Sequence, residues 1–160
     1  MKDLKITSNI RVYEYDELPA DLRELVDEAK KMVFRSYSPY SNFKVGAAAR
    51  LSSGRIQGGS NQENAAYPSG LCAERTTLFA VGAMYPDESV EALAIAAYTN
   101  GDYTEMPTAP CGACRQVMLE SENRGGKPMK VLLYGKKCTY VVDSVDQLMP
   151  LTFLPDDLQG

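Results

Sequence analysis

The segment Phe43-Lys44-Val45-Gly46-Ala47-Ala48-Ala49-Arg50-Leu51 has an apolar residue at every second position. This period is typical of a β-strand that buries one face. Ser52-Ser53-Gly54 then predicts a turn, and Arg55–Gly59 a second strand. Upstream, apolar residues recur at helical spacing and predict a helix over Asp16–Phe34, capped by Asp16 or Asp21. The loop over residues 36–41 ends this helix.

The rest of the chain alternates predicted helices with strands. Apolar runs predict strands at Ala92–Tyr98, Lys130–Tyr134 and Cys138–Val142. Helices are expected after Cys72, to about Met84, and after Cys111, to about Glu122. This order predicts an α/β fold, a three-layer α-β-α sandwich with a mixed five-stranded sheet and helices on both faces.

Length and composition indicate a single globular domain over residues 1–160. Its apolar content of 44% and charged content of 24% are ordinary for such a domain. Residues 1–15 lie outside the alternating pattern, as an N-terminal extension of unknown role. We expect this extension to form either an extra edge strand or a mobile arm.

Net charge and hydropathy indicate which classes of partner the protein can bind. Lys and Arg total 17 against 21 Asp and Glu, a net charge of −4, with no dense basic run. Nucleic-acid binders need a basic face, so we expect a small-molecule substrate and no nucleic-acid partner. The longest apolar stretch, Ala92–Tyr98, is too short to span a bilayer, and no apolar run follows Met1–Lys5. We therefore expect a cytoplasmic protein with no membrane partner.

The cysteines carry the chemical signal. Cys72 is followed two residues later by Glu74, and Cys111 and Cys114 form a Pro-Cys-x-x-Cys motif. Three thiolates can hold Zn²⁺ and leave its fourth position open for water, whose protons Glu74 can transfer. The chain has no histidine, so only an all-cysteine ligand set is available.

Both cysteine motifs begin predicted helices. A helix N-terminus favours thiolate over thiol, and residues three apart share one face, so Cys111 and Cys114 can act together. Three thiolates leave a zinc site with a net charge of −1. Arg75 and Arg115 each adjoin the motifs and are candidates to offset that charge by hydrogen bonds to sulfur.

Three other interpretations stay open on these residues alone. Cys111 and Cys114 match a thioredoxin-like redox pair, although that leaves Cys72 without a role. Cys138 is a candidate fourth ligand of a purely structural zinc site, although it has no partner at Cys-x-x-Cys spacing. Glu74 alone reads as a surface residue of a first helical turn.

The chain resembles cytidine deaminases of the small, homotetrameric type over roughly residues 22–158. Five blocks in order carry the resemblance: Tyr37-Ser38-Pro39-Tyr40-Ser41-Asn42-Phe43-Lys44-Val45-Gly46-Ala47-Ala48, Asn61-Gln62-Glu63-Asn64-Ala65-Ala66-Tyr67, Cys72-Ala73-Glu74-Arg75-Thr76, Pro110-Cys111-Gly112-Ala113-Cys114-Arg115-Gln116-Val117 and Leu148-Met149-Pro150-Leu151-Thr152-Phe153. Residues 1–18, which extend beyond the shorter members, and the loop over residues 68–71 depart from the family pattern.

The resemblance implies zinc-dependent hydrolytic deamination of cytidine and deoxycytidine in pyrimidine salvage, with one zinc per chain. It implies a homo-oligomer, most simply a tetramer, whose subunits share active sites. The residue roles that it implies are zinc ligation by Cys72, Cys111 and Cys114, proton transfer by Glu74, ribose binding by Asn61 and Glu63, a pyrimidine wall from Phe43, base-edge binding by the backbone of Ala73, support of the thiolates by Arg75, and an aromatic cover from Phe153 of a neighbouring subunit.

Structural roles compete with several of these assignments. Phe43 also fits a strand core residue, and Asn61 fits a turn residue after Gly58-Gly59. Glu63 fits a solvated carboxylate, and Phe153 fits a tail anchor that packs within its own subunit.

Two other deaminase classes share the cysteine pattern. One acts on base-like substrates such as blasticidin S and needs no ribose motif, and the other edits nucleic acids and needs a basic or aromatic surface.

Overall fold

The computed structural model describes residues 1–159, which form seven strands and three α-helices. The strands are β1 (Arg11–Tyr13), β2 (Lys44–Leu51), β3 (Ile56–Ser60), β4 (Val90–Thr99), β5 (Asp102–Tyr103), β6 (Lys130–Tyr134) and β7 (Thr139–Val142), and the helices are α1 (Ala20–Met32), α2 (Ala73–Met84) and α3 (Gly112–Gly125). Across residues 1–159, no helix combines the length and apolar character needed to cross a membrane.

All seven strands belong to one mixed sheet in the order β1-β7-β6-β4-β2-β3, with β5 paired to β4. Only β4 and β6 run parallel among the strand pairs of the described residues, and α3 lies between them in the chain. The other pairs are antiparallel. Along the chain, β4 is followed by β5 and then by α3.

Helices cover both faces of the sheet, which confirms the predicted three-layer sandwich. Apolar residues of α1 pack on one face, and those of α2 and α3 pack on the other. Successive residues of β2 point to opposite faces of the sheet. Ala47, Ala49 and Leu51 belong to the core beneath α2 and α3, and Ala48 belongs to the core beneath α1. Gly46 lets α1 approach closely, since a Cβ there would fall on backbone atoms of Ala29 and Val33.

Two details of the predicted fold are wrong. The sheet has seven strands instead of five, because β1 and β5 are too short to give a periodic pattern. The first helix also has a different start. Asp16 lies in a separate 3-10 turn, Pro19 is the N-cap of α1, and Asp21 sits inside the first turn.

The N-terminal extension is joined to the edge of the sheet. Arg11–Tyr13 pairs with β7, as the edge-strand alternative predicted, whereas residues 1–10 have no helix or strand. The Arg11 guanidinium contacts the Asp143 carboxylate at 2.6 Å, and the Asn9 main-chain N–H donates to Gln147 Oε1 at 2.8 Å.

Three tyrosine rings surround the ammonium group of Lys30. Its Nζ lies 4.9 Å from the ring centroid of Tyr15, 5.3 Å from that of Tyr103 and 4.8 Å from that of Tyr134. The Tyr15 hydroxyl donates to the Asp27 carboxylate at 2.5 Å. Burial, followed by this hydrogen bond, raises the pKa of Tyr15 to about 12. The cluster therefore ties β5 and the segment before α1 to α1 itself.

Candidate active site

Three cysteine sulfurs meet where α2 and α3 begin. Cys72 is the N-cap residue of α2, Cys111 is the N-cap residue of α3, and Cys114 lies in the first turn of α3. Their Sγ atoms all lie within 4.8 Å of one another, with 3.9 Å between Cys72 and Cys111 and 3.4 Å between Cys111 and Cys114. The two helices pack side by side on one face of the sheet, so their N-termini bring the thiols together.

The cluster has the donors and the spacing of a zinc site. A tetrahedral Zn²⁺ with sulfur ligands at ~2.3 Å requires sulfur atoms roughly 3.8 Å apart, close to the distances seen here. Cys138 does not belong to the cluster, and all four cysteines are free thiols. The residues therefore fit one zinc per chain with three protein ligands, and the four-cysteine alternative lacks its fourth ligand.

Glu74 lies in the first turn of α2 with only 4% of its surface exposed. Burial raises the pKa of its carboxyl group, and the charge of Cys72 acts in the same direction. Its own main-chain N–H and the Cys114 thiol oppose this shift to a smaller extent. Glu74 is thus a buried carboxyl group two residues from the candidate ligand Cys72, and its burial excludes a solvated surface position.

Arg75 faces the cluster from the same helical turn. Its Nη2 lies 3.8 Å from Cys72 Sγ, within reach of a hydrogen bond to sulfur. The pKa of Cys72 is lowered to about 5, chiefly by the hydrogen bond from Cys114 and further by Arg75. Cys72 therefore carries negative charge more readily than an ordinary cysteine thiol does.

Arg115 does not contact the sulfurs. Its Nε donates to the Pro110 carbonyl oxygen at 2.9 Å, and its Nη1 donates to the Leu148 carbonyl oxygen. Its guanidinium group thus connects the start of α3 with the C-terminal segment. Arg115, the second candidate for offsetting the thiolate charge, thus hydrogen-bonds main-chain carbonyl oxygens instead.

A cavity of about 330 Å³ extends from Cys72 to Glu63, and Glu74, Cys111 and Cys114 do not line it. Cys72 and Arg75 line one end, and Tyr40, Ser41, Asn61 and Glu63 are among the residues of the other. Phe43, Ala73 and Phe153 do not line this cavity. Phe43 is half-buried, Ala73 is fully buried and Phe153 is 54% exposed.

The Asn61 side chain is held by three hydrogen bonds. Its Oδ1 accepts from Ser36 Oγ at 2.5 Å and from the Val45 main-chain N–H at 2.8 Å. Its Nδ2 donates to the Phe43 carbonyl oxygen at 2.9 Å. Asn61 therefore joins the loop before β2 to the end of β3, and one amide N–H is left for any ligand.

Glu63 is oriented by residues that the sequence did not single out. Its Oε2 accepts the main-chain N–H groups of Tyr40 at 2.9 Å and Ser41 at 3.2 Å, and its Oε1 accepts the Ser41 hydroxyl. The Ser41 hydrogen bond, above all, lowers the pKa of Glu63. Ser41 stands in a Ser/Pro/Tyr loop, and that loop chemistry was the only available sign that its hydroxyl binds a nearby group.

The fold and the site together define an α/β protein with a three-cysteine zinc site and a buried carboxylate. The family model described as the cytidine and deoxycytidylate deaminase zinc-binding region matches residues 19–125. The chain belongs to this family, and the resemblance stated from the sequence is confirmed.

Individual relatives agree with the family model. A cytidine deaminase of Sporosarcina psychrophila is 41% identical over 138 residues, which cover 86% of this chain and 95% of the relative. One from Halalkalibacterium halodurans is 37% identical and covers 86% of this chain and 98% of its own. The crystal structure of cytidine deaminase from Burkholderia pseudomallei is 40% identical, with a TM-score of 0.69 over 81% of this chain and 97% of that one.

Proposed function

We propose that this protein catalyses the zinc-dependent hydrolytic deamination of cytidine and deoxycytidine, giving uridine or deoxyuridine and ammonia. The observation that carries the proposal is the buried Glu74 in the same helical turn as Cys72, whose sulfur converges with those of Cys111 and Cys114. Cys72 also lines the cavity that continues to Glu63. This chain matches two relatives named cytidine deaminase over 95% and 98% of their length, which supports the same reaction here.

Cys72, Cys111 and Cys114 hold the metal, and Glu74 moves the protons. When bound, zinc acts as a Lewis acid that lowers the pKa of a coordinated water from ~15.7 towards ~7. Glu74 accepts the proton that the water loses and delivers it to the ring nitrogen next to the amine-bearing carbon. It later transfers the second water proton to the departing amine, so that water and nucleoside give uridine and ammonia.

The surroundings of Glu74 suit this task. A general acid–base group works best with a pKa near the working pH, and burial raises the pKa of Glu74 in that direction. Arg75 places a positive charge next to Cys72 and offsets part of the negative charge of three thiolates. A neutral residue at position 75 would leave that charge on the ligands.

The far end of the cavity is assigned to the ribose. Glu63 accepts hydroxyl protons, and Asn61 donates through its one remaining amide N–H. Phe43 forms a wall for the pyrimidine, and the backbone of Ala73 binds the base edge. No group in this assignment requires the 2′-hydroxyl, so both ribonucleoside and deoxyribonucleoside are substrates.

The active form in this proposal is a homo-oligomer, most simply a tetramer, with Phe153 reaching a neighbour's site. The support is that Phe153 is half-exposed and does not line the cavity of its own chain. A partner that closes the open cavity would also exclude water and strengthen the electrostatic interactions inside.

We further propose a single domain over residues 1–160 that works in cytoplasmic pyrimidine salvage, without nucleic-acid or membrane partners.

An ultraviolet assay of the purified, zinc-loaded protein tests the proposal with cytidine, deoxycytidine, cytosine and CMP side by side. Turnover of both nucleosides with release of ammonia is expected, at rates well above that of free cytosine. Glu74→Gln keeps the size of the side chain but removes the proton acceptor, so turnover should fall by more than about 10²-fold while zinc stays bound. Glu120→Gln, at an exposed position of α3, is the matched control. Equal rates on cytosine and cytidine would contradict the ribose assignment.

A further inference from the structure

The C-terminal segment that carries Phe153 follows a constrained path. After the 3-10 turn Val145–Leu148, Leu151 adopts a left-handed backbone conformation with φ of 58°. Residues other than glycine rarely adopt this conformation, because the Cβ crowds the backbone. The path therefore depends on contacts that hold the segment from outside.

Two consecutive side chains of α3 supply such contacts. Arg115 Nη1 donates to the Leu148 carbonyl oxygen, and Gln116 Nε2 donates to the Phe153 carbonyl oxygen at 3.1 Å. The strained Leu151 lies between these two acceptors. Arg115 is anchored in turn by its bond from Nε to the Pro110 carbonyl oxygen. Both ends of residues 148–153 are thus attached to the first two turns of α3.

We infer that Arg115 and Gln116 are positioning residues that set the direction in which the Phe153 ring points. Arg115 and Gln116 follow Cys114 directly in α3. The start of this helix therefore orients two candidate metal ligands, Cys111 and Cys114, as well as the aromatic tail. Gln116 acts at Phe153 itself, whereas Arg115 fixes where the segment leaves the body of the protein. The inference rests on the proposed function, because it gives the direction of the Phe153 ring a role in nucleoside binding.

Gln116→Leu removes the donor and nearly preserves the volume of the side chain. Loss of one neutral hydrogen bond corresponds to roughly a two- to tenfold effect, which we expect as a higher KM for cytidine with kcat within about twofold. Gln57→Leu is the matched control. Its amide also donates to a main-chain carbonyl, that of Gly58 at 2.7 Å, but in β3 and outside the candidate site.

A double-mutant cycle separates positioning from general damage. Phe153→Ala keeps the carbonyl acceptor but removes the ring, so Gln116→Leu added to Phe153→Ala should raise KM no further. If the two substitutions raise KM independently, Gln116 does not act through Phe153 and the inference is overturned.

Hydrogen exchange measured by mass spectrometry gives a readout that does not need activity. Gln116→Leu should speed exchange of the amides of residues 151–154 relative to the wild type and to Gln57→Leu. Unchanged exchange in this segment would overturn the inference, even if the wild type deaminates cytidine. A wild type that releases no ammonia from any nucleoside would instead contradict the proposed function, and the exchange comparison would still decide whether α3 holds the tail.

Discussion

The Ser41 hydroxyl donates a hydrogen bond to the Glu63 carboxylate, and the same oxygen accepts the main-chain N–H of Phe43 at 3.0 Å. One small side chain thus links the proposed ribose acceptor to the proposed pyrimidine wall. It also has the largest part in lowering the pKa of Glu63, which favours the ionised form of that carboxylate.

Ser41→Ala should therefore weaken nucleoside binding more than catalysis. We expect KM for cytidine to rise about three- to tenfold, with kcat changed less than about twofold. This is below the full effect of losing a hydrogen bond to a charged group, because the Ser41–Glu63 hydrogen bond is exposed to solvent. Ser53→Ala is a close control, since the Ser53 hydroxyl also accepts the N–H two residues ahead, from Arg55, in a turn away from the cavity. A Michaelis constant equal to that of the control would show that Ser41 does not orient Glu63.

Metal content should distinguish the cysteines. Cys72→Ala removes one of three convergent sulfurs, and we expect it to lose zinc and activity together. Cys138→Ser should keep one zinc per chain and full activity, because Cys138 lies outside the cluster. Elemental analysis of dialysed protein measures both variants. Loss of zinc from Cys138→Ser would restore the structural four-cysteine site.

A shared active site should allow two inactive variants to rescue each other. Glu74→Gln and Phe153→Ala, unfolded and refolded together, should regain partial activity, because some mixed sites pair an intact Glu74 with an intact Phe153. Each variant refolded alone is the control. If Phe153 serves its own chain, every site in the mixed oligomer keeps one defect. Absence of recovery in confirmed mixed oligomers would contradict a Phe153 contributed by the neighbour.

Tyr15 should contribute a pH dependence to stability in the alkaline range. Its pKa is about 12 in the folded protein against ~10 in an unfolded chain, so the unfolded state loses the phenol proton first. The stabilisation that it contributes is complete below pH ~10 and is lost as the pH rises towards ~12. Tyr15→Phe should therefore show a shallower fall in the free energy of unfolding across this interval, measured by urea titration. Tyr140→Phe, half-buried in β7, is the control, and identical slopes for wild type and Tyr15→Phe would refute this linkage.

The sequence predicts those parts of the fold that have their own local pattern. Alternation identifies β2 as a strand, and the apolar runs identify β4 and β6. The expectation that β2 buries only one face was wrong, because small residues let helices pack on both faces and bury four consecutive residues, Gly46–Ala49. β1 and β5 exist only because β7 and β4 are there to pair with them. The predicted N-cap of α1, Asp16 or Asp21, was wrong because the helix begins at Pro19, which makes no side-chain capping hydrogen bond.

The same distinction holds for the site. The spacing of Cys111 and Cys114 is local, and the meeting with Cys72 follows once two helices begin at one point. The direction of Arg115 is different, because its acceptor at Leu148 is 33 residues away and depends on how the tail folds back. Asn61 is likewise bound to Ser36, 25 residues distant, so no sequence neighbour reveals that its oxygen is already used.

The pairing of Arg11–Tyr13 with β7 has a consequence for the behaviour of the protein in concentrated solution. A strand at the rim of a sheet exposes a row of free N–H and C=O groups that can pair with another molecule. Here a three-residue segment covers that rim, and the Arg11–Asp143 ion pair fastens it. The edge left on this side, opposite β3, is therefore only three residues long and carries an ion pair, which disfavours edge-to-edge aggregation.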